Sequence, residues 1–339
     1  MEEQNRRALL IGACGTIAVF AVLFFVVGAR DVVDSLRSAA PSLVITTFAL
    51  ALCWLAAWSL ILRTVLVSLG VEIPISKAFF VYAGTVFANN VTPFGQAGGE
   101  PVAALLISKV SDAHYETGLA GIASVDVLNV VPSVSLILLG VGYYATTTTV
   151  GERLETAVGS AVALITGIVL AMALGWRYRS VIVDRLPAVI APPLGRLGFA
   201  PFDSETFRAD LTERLERFFE NIERIATDRR RLGAVVGLSL AGWLFQTAAL
   251  TAAFAAIGYS VPMYVLLFVI PLANLAGAAP LPGGLGGIEA AFVALLVPTT
   301  SVAASAITAA VLVFRGAIYW MPVLIGGLSV SAFGVRALE

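Results

Sequence analysis

One short pattern, written twice, constrains this chain more than anything else in it. Residues 93–100 read Pro93-Phe94-Gly95-Gln96-Ala97-Gly98-Gly99-Glu100, and residues 282–289 read Pro282-Gly283-Gly284-Leu285-Gly286-Gly287-Ile288-Glu289. Both fit P-x-G-x-x-G-x-E, both sit inside long apolar stretches, and they lie 189 residues apart. Other pairs keep that offset: Trp54-Leu55 with Trp243-Leu244, Leu106 with Leu295, and Asp126 with Arg315. At an offset of 188, Gly70-Val71-Glu72-Ile73-Pro74 matches Gly258-Tyr259-Ser260-Val261-Pro262. An apolar segment broken by glycine and present in two copies predicts two related halves, each interrupted at membrane depth, as transporters are built.

The chain is 59% hydrophobic and 13% charged, where a soluble domain is about one quarter charged. It therefore reads as an all-α, polytopic integral membrane protein with inverted-topology repeats, each carrying a glycine-broken re-entrant hairpin. Six apolar runs reach the roughly 20 residues that span a bilayer: 8–28, 42–67, 118–145, 156–176, 232–257 and 301–333. The first has no small-residue cleavage site and is not expected to be a signal peptide. Regions 75–110 and 262–298 are apolar but interrupted, so each half is predicted too short to cross alone. The predicted organisation is an N-terminal helix and outer loop (1–41), repeat 1 (42–150), a linking helix with a cytoplasmic amphipathic segment (151–231), and repeat 2 (232–339).

Basic residues set the orientation. With the N-terminus inside, 17 of the 21 arginines and lysines fall on the cytoplasmic side. Only Arg30, Arg37 and Arg153 fall outside, and Arg315 is left within a span. This asymmetry predicts a multi-pass protein of the cell membrane with both termini cytoplasmic. Three crossings then separate the two glycine loops, which inverts the second copy and brings the hairpin tips toward each other. Within 177–231, Pro187, Pro192, Pro193 and Pro201 predict a loop, and apolar residues at helical spacing from Phe207 to Ile225 predict an amphipathic helix. That helix reads as a linker anchored by its arginines, ahead of the alternative, an interfacial helix gathering anionic lipid.

The candidate site residues cluster at the loops. Glycine lets the backbone turn sharply and lets a ligand approach. Half-helices beginning near Glu100 and Gly287 would present free N–H donors to an anion such as phosphate. Gly95, Gly98, Gly284, Gly286 and Gly287 are the candidate backbone contacts, with Asn89, Asn90, Thr92 and Gln96 as polar neighbours. Glu100 and Glu289 hold equivalent positions, and two readings stand for each: a cap on its own loop, or a proton or cation site. Asp126 and Arg315 are charges inside spans, where charge is costly and usually paired or functional. Their symmetric positions suggest a salt bridge between repeats, either structural or clamping a phosphate, for which arginine has the right fork geometry.

Two cysteines in apolar spans, Cys14 and Cys53, suggest neither a disulfide framework nor a metal site, and His114 is the sole histidine. No catalytic constellation or nucleotide-phosphate loop appears. The expectation is a protein that is not an enzyme and carries no cofactor or metal.

The stretch Asn89-Asn90-Val91-Thr92-Pro93-Phe94-Gly95-Gln96-Ala97-Gly98-Gly99-Glu100 resembles a signature of the lysylphosphatidylglycerol synthase transmembrane-region family. Pro280 to Glu289 is similar to its second signature, and Arg315-Gly316-Ala317-Ile318-Tyr319-Trp320-Met321-Pro322 to its third. The resemblance implies a flippase-like membrane protein that moves a modified phospholipid or polyprenyl-linked sugar between leaflets. It implies a stand-alone member without the aminoacyl-transferase domain. The expected partners are membrane lipids, anionic or phosphate-bearing, together with a second copy of the chain or a separate lipid-modifying enzyme, and no nucleic acid. A small-solute or ion transporter and a non-transporting docking partner are the competing readings.

Overall fold

The computed structural model describes residues 17–92, 96–111, 113–147, 163, 166–167, 170–196, 204–278 and 281–334. Regular structure among them is helical, with no strand. The helices are α1 (Ile17–Val27), α2 (Ala29–Arg37), α3 (Pro41–Ser68), α4 (Ile75–Val91), α5 (Gln96–Val110), α6 (Tyr115–Thr147), α7 (Arg179–Arg196), α8 (Ser204–Thr227), α9 (Arg229–Ala256), α10 (Met263–Asn274), α11 (Gly287–Thr299), α12 (Ala304–Arg315) and α13 (Met321–Gly334). Five stretches are long and apolar enough to cross a bilayer: Pro41–Ser68, Tyr115–Thr146, Arg229–Ala256, Pro282–Thr299 and Ala304–Ala332. Large apolar side chains such as Ile45, Leu139, Leu324 and Leu328 stand exposed on these stretches, a surface that only lipid can cover at low cost. The chain is an all-α, multi-pass membrane protein. The expected span 156–176 lies mostly outside the described residues, and the run 8–28 is described from residue 17 onward.

The sequence matches at an offset of 188 fold alike. Gly70 and Gly258 both adopt positive φ, 80° and 84°, just past the ends of α3 and α9. In both, the next residue's N–H reaches back five positions, from Val71 to the Leu66 carbonyl at 2.9 Å and from Tyr259 to the Phe254 carbonyl at 3.0 Å. This is the glycine-terminated helix end that closes orphan carbonyls. Pro74 and Pro262 then precede α4 and α10, where the missing N–H costs nothing.

Two compact units make up the chain, one from residues 1–148 with 233–339 and the other from 149–232. In the first, α4 packs on α5, α3 and α13, while α6 packs on α5, α3 and α10. Small residues set these contacts. A Cβ on Gly326 would strike the Ala83 carbonyl of α4, and one on Gly140 would come within 2.7 Å of the Tyr264 carbonyl. Close approach of small residues is how helices associate when lipid removes the hydrophobic drive between them.

In the second unit, α7 and α8 lie together, with Arg179 and Glu223 paired at 4.0 Å and Arg217 bonded to Glu213. The proline-rich stretch predicted to be a loop is helical from Arg179 to Arg196. Each proline removes only one donor, and the apolar residues around Val183 keep a packed face that holds the turns together.

The interrupted regions form helical hairpins. Lys77, at the start of α4, donates from Nζ to the Val110 carbonyl at the end of α5 at 3.1 Å, so the two helices run back to back. With 17 and 15 residues, they extend only about 25 and 22 Å at 1.5 Å per residue, short of a hydrocarbon layer of about 30 Å. The second hairpin, α10 and α11, is built on regular helices of 12 and 13 residues. Here the expectation needs correcting. With its 3-10 start, Pro282–Thr299 reaches 18 residues and is long and apolar enough to cross, although positive φ at Gly283, Gly284 and Gly286 breaks the helix near its start.

Candidate functional site at the glycine loops

The second loop is closed around a buried ion pair. Gly283 and Gly284 take φ of 56° and 64°, and Gly286 caps α11 at φ 84°. Glu289, in the first turn of α11 and 2% exposed, accepts the Gly286 N–H on Oε2 at 2.6 Å. Its Oε1 accepts Nε–H of Arg315 at 2.7 Å. Arg315, 8% exposed at the end of α12, also donates from Nη2 to the Gly283 carbonyl at 3.1 Å. Its guanidinium carbon stands 4.9 Å from the centre of the Tyr319 ring, a cation–π contact. Both charges are thus compensated within one loop, as burial at this depth demands. The remaining Nη donors of Arg315 take no partner among the described residues.

After Arg315 the helix widens into a π turn over Gly316–Trp320. Pro322 follows it and offers no N–H to the Ile318 carbonyl, which loosens the i→i−4 ladder there. The turn places Tyr319 so that its hydroxyl donates to the Asn90 carbonyl at 3.0 Å. A Cβ on Gly283 would lie 2.9 Å from that same carbonyl. Thus the end of α4 abuts the second loop at Asn90, Gly283 and Tyr319, while the expected tip of the first hairpin lies outside the described residues.

The helices that flank the first loop are arranged differently. Pro93, Phe94 and Gly95 lie outside the described residues, and of Gln96 and Gly98 only the helical backbone is described. Helix α5 begins at Gln96, four residues before Glu100. Glu100 is therefore past the first turn and cannot cap it as Glu289 caps α11. Gly99 is inside the helix, where its missing Cβ makes room for the Asn89 side chain. Asn89 Oδ1 is buried there without a hydrogen-bond partner. Thr92 donates to the Ala88 carbonyl at 2.8 Å at the end of α4.

Asp126 does not pair with Arg315; the arginine's carboxylate is Glu289. Asp126 lies half-buried on α6 and interacts electrostatically with Glu100 and Tyr82. The reason is local: Glu289 and Arg315 sit on helices joined by a short turn, whereas Asp126 belongs to the α4–α5–α6 group. One turn on, Asn129 accepts the Ser239 hydroxyl at 2.5 Å, a bond between α6 and α9. Arg63 and Lys77 act as caps on the Ile73 and Val110 carbonyls.

The sites thus fall into two groups. Gly284, Gly286, Gly287, Glu289 and Arg315 come together with Asn90. Asn89, Glu100 and Asp126 form a second, acidic group beside α5. Tyr319 and Gly283 join the first group, and their only sequence signals are a place one turn after a buried arginine and a place within the glycine motif.

Comparison with known proteins settles the lineage. Residues 10–326 match the lysylphosphatidylglycerol synthase TM region. The chain belongs to this family. A UPF0104 membrane protein of Methanothermobacter thermautotrophicus is 26% identical, with 98% of this chain and 95% of the relative aligned. A second from the same organism is also 26% identical, over 99% of this chain and 98% of the relative. Glycosyltransferase AglD of Haloferax volcanii is 26% identical over 91% of this chain, which spans 52% of that protein.

Proposed function

We propose that this protein moves a phospholipid or polyprenyl-phosphate-linked lipid between leaflets, acting as a flippase or scramblase and not as an enzyme. The observation that carries the reading is the joint between the end of α4 and the second glycine loop. There a buried arginine with uncommitted donors stands beside loop backbone at the place where Tyr319 and Gly283 meet Asn90. Arginine and glycine-loop N–H groups are the donors that suit a phosphate. A first hairpin too short to cross alone, set against a second that is broken at its glycine loop and inverted by the expected topology, would give a site open to either leaflet when one of them shifts. Glu100 and Asp126 would serve cationic head groups or coupling protons. Acyl or prenyl tails would stay in lipid, so only the head group needs a path. Cell-membrane placement with both termini cytoplasmic completes the reading. One relative bears the name of a glycosyltransferase, so sugar-bearing lipids belong among the substrates tried.

The test is leaflet exchange of fluorescent phospholipids in proteoliposomes, read by dithionite quenching. Wild type is compared with Tyr319→Phe and Glu100→Gln across anionic, aminoacylated, sugar-bearing and polyprenyl-phosphate lipids. Exchange well above protein-free liposomes, reduced in the folded variants, is expected. Exchange at the protein-free rate with every lipid would overturn the reading in favour of solute transport or docking.

A further inference from the structure

Halfway along two of the crossing helices lies a group of side chains that the loop site does not use. Trp54 is at the middle of α3 and Trp243 at the middle of α9, with Trp58 between their rings. The Trp54 and Trp58 centroids are 5.4 Å apart and those of Trp58 and Trp243 are 5.3 Å apart, both pairs edge-on. Gly242 leaves the space that the Trp58 indole N–H occupies against α9. All three indole N–H groups are buried and have no hydrogen-bond partner among the described residues. Trp54 is 4% exposed and Trp243 8%. Gln246, one turn beyond Trp243 on the same buried face and 2% exposed, makes no hydrogen bond among the described residues.

This is an unusual place for such groups. Tryptophan favours the membrane interfaces, where its N–H meets water or head groups. At the centre of a span, each donor without an acceptor costs on the order of 1–3 kcal/mol. Three such donors and an amide, gathered on facing helices, are costly unless something with acceptor atoms visits them. The group carries no basic residue, so it offers no counter-charge to an anion. It presents neutral donors and aromatic faces, which suit uncharged oxygen.

The location links it to the loops. A Cβ on Gly316, the residue after Arg315, would be in contact with the Phe48 ring at 3.8 Å. Trp54 lies six residues further along α3, about 9 Å at 1.5 Å per residue. Helix α3 thus runs from the turn after Arg315 to the indole group.

We propose that Trp54, Trp58, Trp243 and Gln246 form a mid-membrane subsite for uncharged oxygen acceptors of the transported lipid. This rests on the lipid-transport reading and deepens it: Arg315 would hold the phosphate while the indoles and the amide receive either head-group hydroxyls or glycerol ester carbonyls.

Binding, not transport, is the test, so that its outcome stands apart from that of the exchange assay. In a Trp176→Phe/Trp320→Phe background the three clustered indoles are the only tryptophans, since the chain has five. Tryptophan emission of the protein in micelles is followed on adding three short-chain probes. These are diester phosphatidylglycerol, its diether analogue and diester phosphatidylcholine. A saturable shift, weakened about three- to tenfold by Gln246→Leu or Trp54→Phe, is expected, since each removes one neutral hydrogen bond and Phe keeps the ring packing. Equal response to diester and diether phosphatidylglycerol assigns head-group hydroxyls as the acceptors. Equal response to the two diesters, with none to the diether, assigns the ester carbonyls. An emission already typical of water-bonded indoles and unchanged by every probe would overturn the proposal in favour of resident water. A shift of equal strength in Gln246→Leu and Trp54→Phe would overturn it as non-specific.

Discussion

Replacing Arg315 by methionine tests whether the Glu289–Arg315 pair holds the second loop. The substitution removes the 2.7 Å bond to Glu289 and the 3.1 Å bond to the Gly283 carbonyl. It leaves a carboxylate that is 2% exposed with only the Gly286 N–H for company. Breaking a buried pair from one side costs about 3–5 kcal/mol, because the surviving charge has no compensation. That lowers the folded-to-unfolded ratio roughly a hundred- to several-thousand-fold. Adding Glu289→Gln removes the stranded charge while keeping an oxygen for the Gly286 N–H. The double variant should then lie within about 1 kcal/mol of wild type, the residue being the lost bond to Gly283. Denaturation by SDS in mixed micelles, followed by far-UV circular dichroism, measures all four corners of the cycle. A single variant within about 1 kcal/mol of wild type, or a double variant as unstable as the sum of the singles, would falsify the argument. The double variant also divides structure from function. Stability regained without leaflet exchange would keep Arg315 as a lipid contact, and exchange regained with stability would make it purely structural.

Three smaller changes probe the packing that surrounds this pair. Gly283→Ala places a methyl against the Tyr319 ring and the Asn90 carbonyl at a φ of 56°, and should cost about 2–4 kcal/mol in the same denaturation assay. Gly326→Ala drives a methyl into the Ala83 carbonyl, a backbone atom that cannot swing aside, so a loss of about 1–3 kcal/mol is expected. Ser239→Ala removes the donor to Asn129, and the cost should be near 0.6 and no more than about 1.7 kcal/mol, the range for hydrogen bonds between membrane helices.

Most of the helices are legible because lipid leaves the backbone few choices. The runs 42–67, 118–145 and 232–257 return as α3, α6 and α9 within a few residues at each end. Paired turns at Gly70 and Gly258 follow from the matched sequences, since a helix end with glycine closes the same way wherever it occurs. The region 179–196 is less legible. Its prolines argue for a loop, but proline forbids only its own donor, and packing against α8 holds the remaining turns. The helical start of Pro282–Thr299 is hidden for the opposite reason. Pro282 at the first 3-10 position favours helical φ and adds a short 3-10 turn ahead of the positive-φ glycines, which lengthens the apolar stretch without making it one helix.

The charges show where symmetry in a sequence stops being a guide to contact. An offset of 189 residues sets Asp126 against Arg315 in the sequence, yet a match by repeat would put two residues in corresponding places, not in touch. Arg315 finds its partner 26 residues back, in its own half, because α11 and α12 pack side by side and Glu289 faces that seam. The same offset makes Glu100 and Glu289 equivalent, and their roles still diverge. A helix starting at Gln96 carries Glu100 beyond capping reach, while one starting at Gly287 keeps Glu289 in the first turn. One half therefore holds a glutamate with an arginine and the other a glutamate with an aspartate. The Glu289–Arg315 pair is neutral in its buried seam, whereas Glu100 and Asp126 have no cationic partner within ion-pair distance among the described residues. If a proton or a cationic head group enters the cycle, the Glu100–Asp126 side is the place for it, and Asp126→Asn should then alter exchange without the loss of stability predicted for Arg315→Met.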